Sequence, residues 1–441
     1  MTTGLLLWAA GLLVALFALR RWLAPAFLSP VVLVAASMIA LALGGAWFYQ
    51  DVALAPGGAG VQLVIGDQLV QDTTRLLLLA TSAFLVGSTL GVVRRRGVAQ
   101  GPAGFRAVVL PEATLVAIAA GCVLPILYTL FVPGVPYLLD RPYYLADAFG
   151  GGAAAIAGQL SIAAVLGCGL LASVWRGAGR VLAVALALVY FVSFFALATR
   201  VMALAPVLFA LGAFAGSPSR RTRIGLAVSA VASVALIGLP LFLRNQVHHG
   251  LIPYVHELSG FLSATAGYDV VALNILISFA IIGVTAYVQP TFPSHDLFVS
   301  LNPLPGGMAG WYDIADVHRL NVYTPYGAIG ELGNVGPAAV VGYFVALGLV
   351  MAWLDRRVRA HLVAGRQGPA LLVVGLVALF CLYNQQYNLR QSTRMVYYAL
   401  AIDLALMAWT WFRSRPRDPD DDVRDAVEGT AADELSAGRP A

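Results

Sequence analysis

The sequence predicts an all-α polytopic membrane protein: about eleven transmembrane helices, a re-entrant or interfacial segment, and a large external loop. Three observations predict it. Of 441 residues, 60% are hydrophobic and only 11% charged, where soluble globular chains carry about 25% charged residues. Apolar runs recur along almost the whole chain, and a bilayer core needs about 20 such residues per helical span. Basic residues fall in short clusters between the runs. Lipid offers backbone groups no partners, so spans are helices or closed barrels. These runs are continuous rather than alternating, which selects helices.

The expected spans are 4–19, 30–49, 76–93, 108–132, 152–175, 181–199, 201–216, 224–243, 336–354, 369–386 and 395–412. Basic clusters mark the cytoplasmic side of a membrane protein. Here they are Arg20-Arg21, Arg94-Arg95-Arg96 with Arg106, Arg176 with Arg180, Arg220-Arg221 with Arg223, Arg356-Arg357 with Arg359, and the Arg413–Arg417 region. All of them share one side if the N-terminus is outside and the C-terminus cytoplasmic. Of 27 basic residues, all arginine, 7 then face outward: Arg75, Arg141, Arg200, Arg244, Arg319, Arg390 and Arg394. A multi-pass inner (plasma) membrane protein is expected. Residues 1–412 form one membrane domain, and 413–441, polar and charged, a disordered cytoplasmic tail. The stretch Val271–Val288 is long enough to span, yet a single crossing there would invert the charge rule. It is therefore expected to be re-entrant, or half of a hairpin with 251–267.

Composition also excludes some classes. Arginines scattered over short loops give a net charge of +5 without a basic patch, so no nucleic-acid partner is expected. Cys122, Cys168 and Cys381 all lie in apolar runs, which removes a disulfide framework. No HExxH-type spacing occurs among the histidines, so neither a metal site nor a cofactor is expected.

Residues 244–335 form a connection far longer than helix bundles normally use. Five of the six histidines lie there: His248, His249, His256, His295 and His318. Arg200 sits between two apolar runs that must reverse around it. An arginine at mid-bilayer costs about 2.5–3.5 kcal/mol on insertion scales, so it belongs at the outer surface, as a snorkelling anchor or an anion-binding guanidinium. Arg390 and Arg394 are four residues apart; on a helix they share a face, where their forks suit a diphosphate. At the end of the long connection, Gly327, Gly330, Gly333 and Gly336 surround Glu331. That carboxylate is either a helix-start group favoured by the dipole or a functional base.

Taken in order, these features resemble the Wzy-type O-antigen and oligosaccharide repeat-unit polymerases and the related O-antigen ligases. The resemblance rests on the Arg200 hairpin followed by Gly212, on the long external loop, and on Glu331-Leu332-Gly333 followed by Gly336, similar to the family's E-x-G-x-x-G ending. Many members carry a His-Asn pair before that ending. This chain departs from it, with His318-Arg319-Leu320-Asn321.

The resemblance covers roughly residues 180–410 and implies a metal-independent glycosyltransferase at the outer leaflet. Donor and acceptor would be glycans on polyprenyl diphosphate in the lipid bilayer, with a chain-length regulator or flippase as further partners. Arg200, Arg390, Arg394 and Arg319 would face the diphosphate. His318 and Glu331, with Asp316 behind them, would supply the base. Trp311, Tyr312, Tyr323 and Tyr326 would offer sugar platforms, although Trp and Tyr also gather at membrane interfaces for their own reasons.

Two other readings compete. A multi-spanning lipid-phosphate-sugar glycosyltransferase would use Asp51, Asp67 and Asp72. A lipid-linked oligosaccharide flippase would need ionisable groups within spans, of which Asp403 is the clear instance, with Asp355 at a cytoplasmic end.

Overall fold

The structure, a computed structural model, describes residues 3–25, 28–52, 66–93, 110–142, 152–199, 201–236, 238–244, 246–262, 264–321 and 324–413. It is an all-α protein with almost no strand. The first helices are α1 (Thr3–Leu19), α2 (Pro30–Val52), α3 (Asp67–Val93), α4 (Glu112–Thr129), α5 (Val135–Leu139) and α6 (Gly152–Val174). Next come α7 (Ala178–Ala196), α8 (Val201–Gly216), α9 (Arg220–Leu236), α10 (Leu239–Arg244), α11 (Leu251–Leu262) and α12 (Ala264–Tyr287). After the short helices α13 (Ser294–Leu301) and α14 (Trp311–Ile314), two strands pair antiparallel, β1 (Arg319–Asn321) and β2 (Thr324–Pro325). The chain closes with α15 (Ala328–Val335), α16 (Pro337–Val363), α17 (Gln367–Gln386) and α18 (Leu389–Arg413).

Local chemistry sets several of these boundaries. Ser29 Oγ accepts the Val32 amide at 3.2 Å, and Pro30 opens α2, a start that satisfies one orphan donor and needs no amide at the first position. Pro125 removes a ladder donor inside α4, and Pro133 lies in the five-residue π turn, Leu130–Gly134, that leads into α5. Gly336, at φ +132°, lets the chain turn sharply into Pro337 and α16.

Among the described residues, seven helical segments are long and apolar enough to cross a membrane: Thr3–Trp22, Pro30–Tyr49, Asp67–Val92, Glu112–Leu139, Ala178–Ala196, Pro337–Val363 and Gln367–Gln386. Leu160–Val174, Val201–Gly216 and Asn274–Tyr287 are shorter apolar helices.

The helices pack around two cores. One gathers α1, α2, α3, α12, α15, α16 and α17; the other gathers α4, α6, α7, α8, α10 and α11. Each core holds a parallel pair in close contact. A β-carbon at Gly348 of α16 would stand 2.2 Å from the Phe84 carbonyl oxygen of α3, and one at Gly212 of α8 would stand 2.0 Å from the Leu166 carbonyl oxygen of α6. Among apolar helices, such small-residue seams let backbones approach and gain dispersion contacts.

The two ends of the first core differ in charge. At one end, Asp355 accepts the Ala24 amide at 2.7 Å and the Ser29 hydroxyl. Arg356 reaches the Gly91 carbonyl at 2.6 Å, and Arg357 and His361 hold Asp403 at 2.8 and 2.9 Å. This is the arginine-rich end. The starts of α3 and α16 and the end of α12 meet at the opposite end, where Tyr287 donates to the Asp72 carbonyl at 3.1 Å.

The long connection 244–335 is largely helical. Residues 251–287 form α11 and α12, and α12 is a helix of 24 residues packed into the first core. A β-carbon on Gly45 of α2 would meet the Phe279 ring at 2.2 Å, and one on Gly283 would meet Thr73 Oγ1 of α3 at 2.2 Å. Close complementarity to α2 and α3 thus seats in the bundle the apolar stretch Val271–Val288, expected to be re-entrant or half of a hairpin. What lies outside the bundle, among the described residues, is 288–321 and 324–327. A second difference is α3, which begins at Asp67 rather than near 76 and so carries Asp67, Asp72 and Arg75 on its first turns. The tail beyond 413 lies outside the described residues.

Candidate functional site

The site forms where the segment between α12 and α15 folds back on the end of the bundle opposite the arginine clusters. Pro290 and Pro293 stop the chain from continuing α12, and α13 starts immediately after Pro293, with Asp296 in its first turn. A carboxylate there is favoured by the helix dipole. His318 ends the turn after α14, where its amide donates to the Ile314 carbonyl at 3.1 Å. Glu331 lies on α15.

The glycine string places α15. A β-carbon on Gly330 would meet the Ile282 carbonyl oxygen at 2.6 Å, and one on Gly333 would meet the Leu76 side chain at 2.7 Å. The three-residue spacing therefore lays one face of α15 against α12 and α3. The start of α15 is tied to the α17–α18 turn, since the Ala328 amide donates to the Tyr387 carbonyl at 2.9 Å. The Leu389 amide reaches Glu331 Oε2 at 3.4 Å.

These elements bring three ionisable side chains together. His318 Nε2 lies 3.1 Å from Asp296 Oδ2, and its Nδ1 lies 3.9 Å from Glu331 Oε1. The second separation suits an ion pair but exceeds hydrogen-bond length. His318 Nδ1 and Glu331 Oε1 are both buried with no hydrogen-bond partner among the described residues. His318 and Glu331 are each 2% exposed, whereas the Asp296 side chain is 15% exposed.

Aromatic rings seal the imidazole. Phe292 stacks on it at 4.8 Å, Tyr326 tilts toward it at 5.6 Å, and Trp311 meets it edge-on at 5.9 Å. Tyr326 is itself fixed, its hydroxyl donating to Gln289 Oε1 at 3.2 Å.

Burial alone would pull the His318 pKa down. The negative charge of Glu331, followed by the hydrogen bond and charge of Asp296, outweighs it and holds the imidazolium above the ordinary histidine value. Burial raises Glu331 above the usual carboxylate range, against the opposing pull of His318 and of the Leu389 amide. A protonated imidazole has two N–H donors, one for each flanking carboxylate.

The other expected residues fall in different places. Asp316 is not behind His318: it is 88% exposed and pairs with Arg319 at 3.1 Å, and Arg319 Nε donates to the Ala315 carbonyl. The carboxylate on His318 Nε2 is Asp296, which no motif or spacing singles out. A first-turn aspartate is ordinary helix chemistry, and it lies 22 residues before its partner.

Arg390 does not face solvent as an open fork. It is 2% exposed, and its guanidinium donates to the carbonyls of Val299, Asn302 and Leu304 at 2.6, 3.1 and 2.5 Å. It thus clasps the end of α13, with its charge 5.6 Å over the Trp311 ring. Arg394 is half-buried and reaches the Leu304 carbonyl at 3.5 Å. Trp311 and Tyr326 belong to the imidazole's enclosure, while Tyr312 is 72% exposed. Arg200 and Tyr323 lie outside the described residues.

Of the residues favouring the competing readings, Asp72, Asp355 and Asp403 are engaged elsewhere. Asp72 accepts from Gln68 at 2.8 Å and pairs with Arg75 at 3.0 Å. Asp403 and Asp355 are both bonded at the arginine-rich end.

A groove of about 490 Å³ runs beside the site end between α1, α3 and α15, walled by Leu5, Trp8, Leu76 and Leu79 and by Gly333, two residues from Glu331. No family model, curated protein or solved structure matches this chain.

Proposed function

We propose that this chain is a metal-independent membrane glycosyltransferase that polymerises polyprenyl-diphosphate-linked oligosaccharide repeat units at the outer leaflet of the inner membrane. The observation that carries the reading is the buried His318 held between Asp296 and Glu331, at the end of the bundle away from the arginine clusters. Glycosyl transfer needs a group to take the acceptor hydroxyl's proton and a way to neutralise the departing diphosphate. The three-residue cluster supplies the first. Arg394 supplies the second, with the buried charge of Arg390 one turn away and with Arg200, which the sequence sets at the tip of a hairpin. The apolar groove beside Gly333 suits the polyprenyl chain.

In this reading the chain crosses the membrane eleven times, by α1, α2, α3, α4, α6, α7, α8, α9 with α10, α16, α17 and α18. The pair α11–α12 enters and leaves on the outer side. Two contacts support that path. Arg141 and His249 exchange backbone hydrogen bonds just before α11, and α12 ends against Asp72. The arginine-rich end is then cytoplasmic, as the charge rule requires.

The test is a lipid-linked glycan profile from cells carrying the gene, a deletion, or Arg394→Ala or His318→Ala at matched protein level. Long polymer in wild type, with single lipid-linked repeat units accumulating in the deletion and in both variants, supports the reading. Unchanged glycan length and attachment in the deletion strain would end it.

A further inference from the structure

The three members of the cluster are not equally reachable, and this separates their roles. His318 is 2% exposed and enclosed by Phe292, Trp311 and Tyr326. Glu331 is equally buried behind it. Asp296 is the member open to solvent, on the first turn of α13, with one carboxylate oxygen on His318. We propose that Asp296 meets the acceptor hydroxyl as the catalytic base, and that His318 and Glu331 are positioning residues acting through it. This inference rests on the glycosyltransferase reading and names the residue that touches the acceptor.

The acceptor's O–H bond breaks and its proton passes to Asp296. The oxygen's electron pair forms the new bond to the donor's anomeric carbon. The bond from that carbon to the diphosphate oxygen breaks, and its pair leaves with the diphosphate. Asp296 returns the proton to water once the product has moved. A carboxylate is a competent base beside an oxocarbenium-like transition state, as in inverting glycosidases.

His318 contributes as an imidazolium. One N–H fixes the inner oxygen of Asp296, and the other points to Glu331. That aims the remaining Asp296 oxygen outward and prevents the two carboxylates from repelling each other. The neighbouring ionisable groups are few: His295 on α13, with Nδ1 3.7 Å from Asp296 Oδ1, Tyr326 after β2, and Arg390 of α18 over Trp311. Asp316 and Arg319 pair with each other nearby.

The experiment measures conversion of the host's own lipid-linked repeat units into polymer, in membrane vesicles from a deletion strain expressing each variant. Size-exclusion profiles in detergent verify that the variants fold. Asp296→Asn is expected to lower turnover about 100-fold or more, the lower part of what general bases contribute, and Asp296→Glu to restore part of it. Wild type is expected to lose activity on an alkaline limb where His318 gives up its proton, and His318→Gln to retain a residual rate without that limb. A wild-type rate in folded Asp296→Asn, or an unaltered alkaline limb in His318→Gln, overturns the inference. If the deletion strain still makes polymer, the glycosyltransferase reading itself falls. If only the deletion loses polymer, that reading stands and Asp296 is not the base.

Discussion

His318 Nδ1 and Glu331 Oε1 face each other across 3.9 Å in a buried pocket, and neither has a hydrogen-bond partner among the described residues. Such a pair is stable only while charge on one side answers charge on the other, because an unpaired buried charge is costly. Its pH behaviour follows. His318 has a raised pKa in the folded protein, so its contribution to stability is complete below the ordinary histidine value and is lost as pH rises through the folded one. The wild-type melting temperature should therefore fall over that alkaline interval. In Glu331→Gln the fall should move to lower pH, because the largest raising influence is gone. Thermal unfolding in detergent across pH checks this, and identical curves for both proteins would refute it.

Arg390 and Arg394 should separate by phenotype. Arg390 donates to three carbonyls at the end of α13, a planar fan that lysine cannot reproduce. Arg390→Lys should lower stability by about 1.5–3 kcal/mol, the range for hydrogen bonds to charged groups. Arg394→Ala should leave the melting temperature nearly unchanged and reduce polymer formation. A stable Arg390→Lys protein would show that the clasp adds little.

One substitution at two positions on α16 tests the helix seam. A β-carbon at Gly348 would meet the Phe84 carbonyl oxygen at 2.2 Å, while one at Gly342 meets nothing within 4 Å. Gly348→Ala should destabilise by about 1–3 kcal/mol through overpacking. Gly342→Ala should be neutral or stabilising by up to about 1 kcal/mol, the helix preference of alanine over glycine. Comparable melting temperatures for the two variants would mean that α3 and α16 approach less closely.

At the arginine-rich end, Asp403 is fully buried and holds both Arg357 and His361. Asp403→Ala leaves Arg357 and His361 facing an empty position. Removing one partner of a buried pair costs about 3–5 kcal/mol; Arg357 is 27% exposed, so water screens part of this and the lower end is expected. Glycan length in surviving protein should stay wild type, since this cluster lies far from the site. Loss of polymer with intact folding would contradict that separation.

Much of the helical frame was legible because hydropathy is a local property: α1, α2, α7 and α17 start and end within a few residues of the apolar runs. Proximity across the chain was not local, and this is where sequence reasoning stopped. Nothing in Ser294-His295-Asp296 distinguishes a base from a helix-start carboxylate, and nothing near Arg390 announces three carbonyls from 86–91 residues away. The glycine string was visible as a pattern, but its meaning depends on α12 lying against it. That in turn depends on which helices α12 meets, and the charge rule, which pointed to a re-entrant segment or a hairpin, names no packing partner.

The site's carboxylates belong to different bodies. Glu331 rides on α15, whose glycines bind it to the helical bundle, whereas Asp296 and His318 ride on the segment folded over it. The centre is therefore a seam between two parts rather than a pocket carved in one. Lifting the covering segment would carry Asp296 and His318 away together and strand Glu331 in an apolar hollow, where burial favours its neutral form. Docking of that segment and custody of the proton are thus a single event.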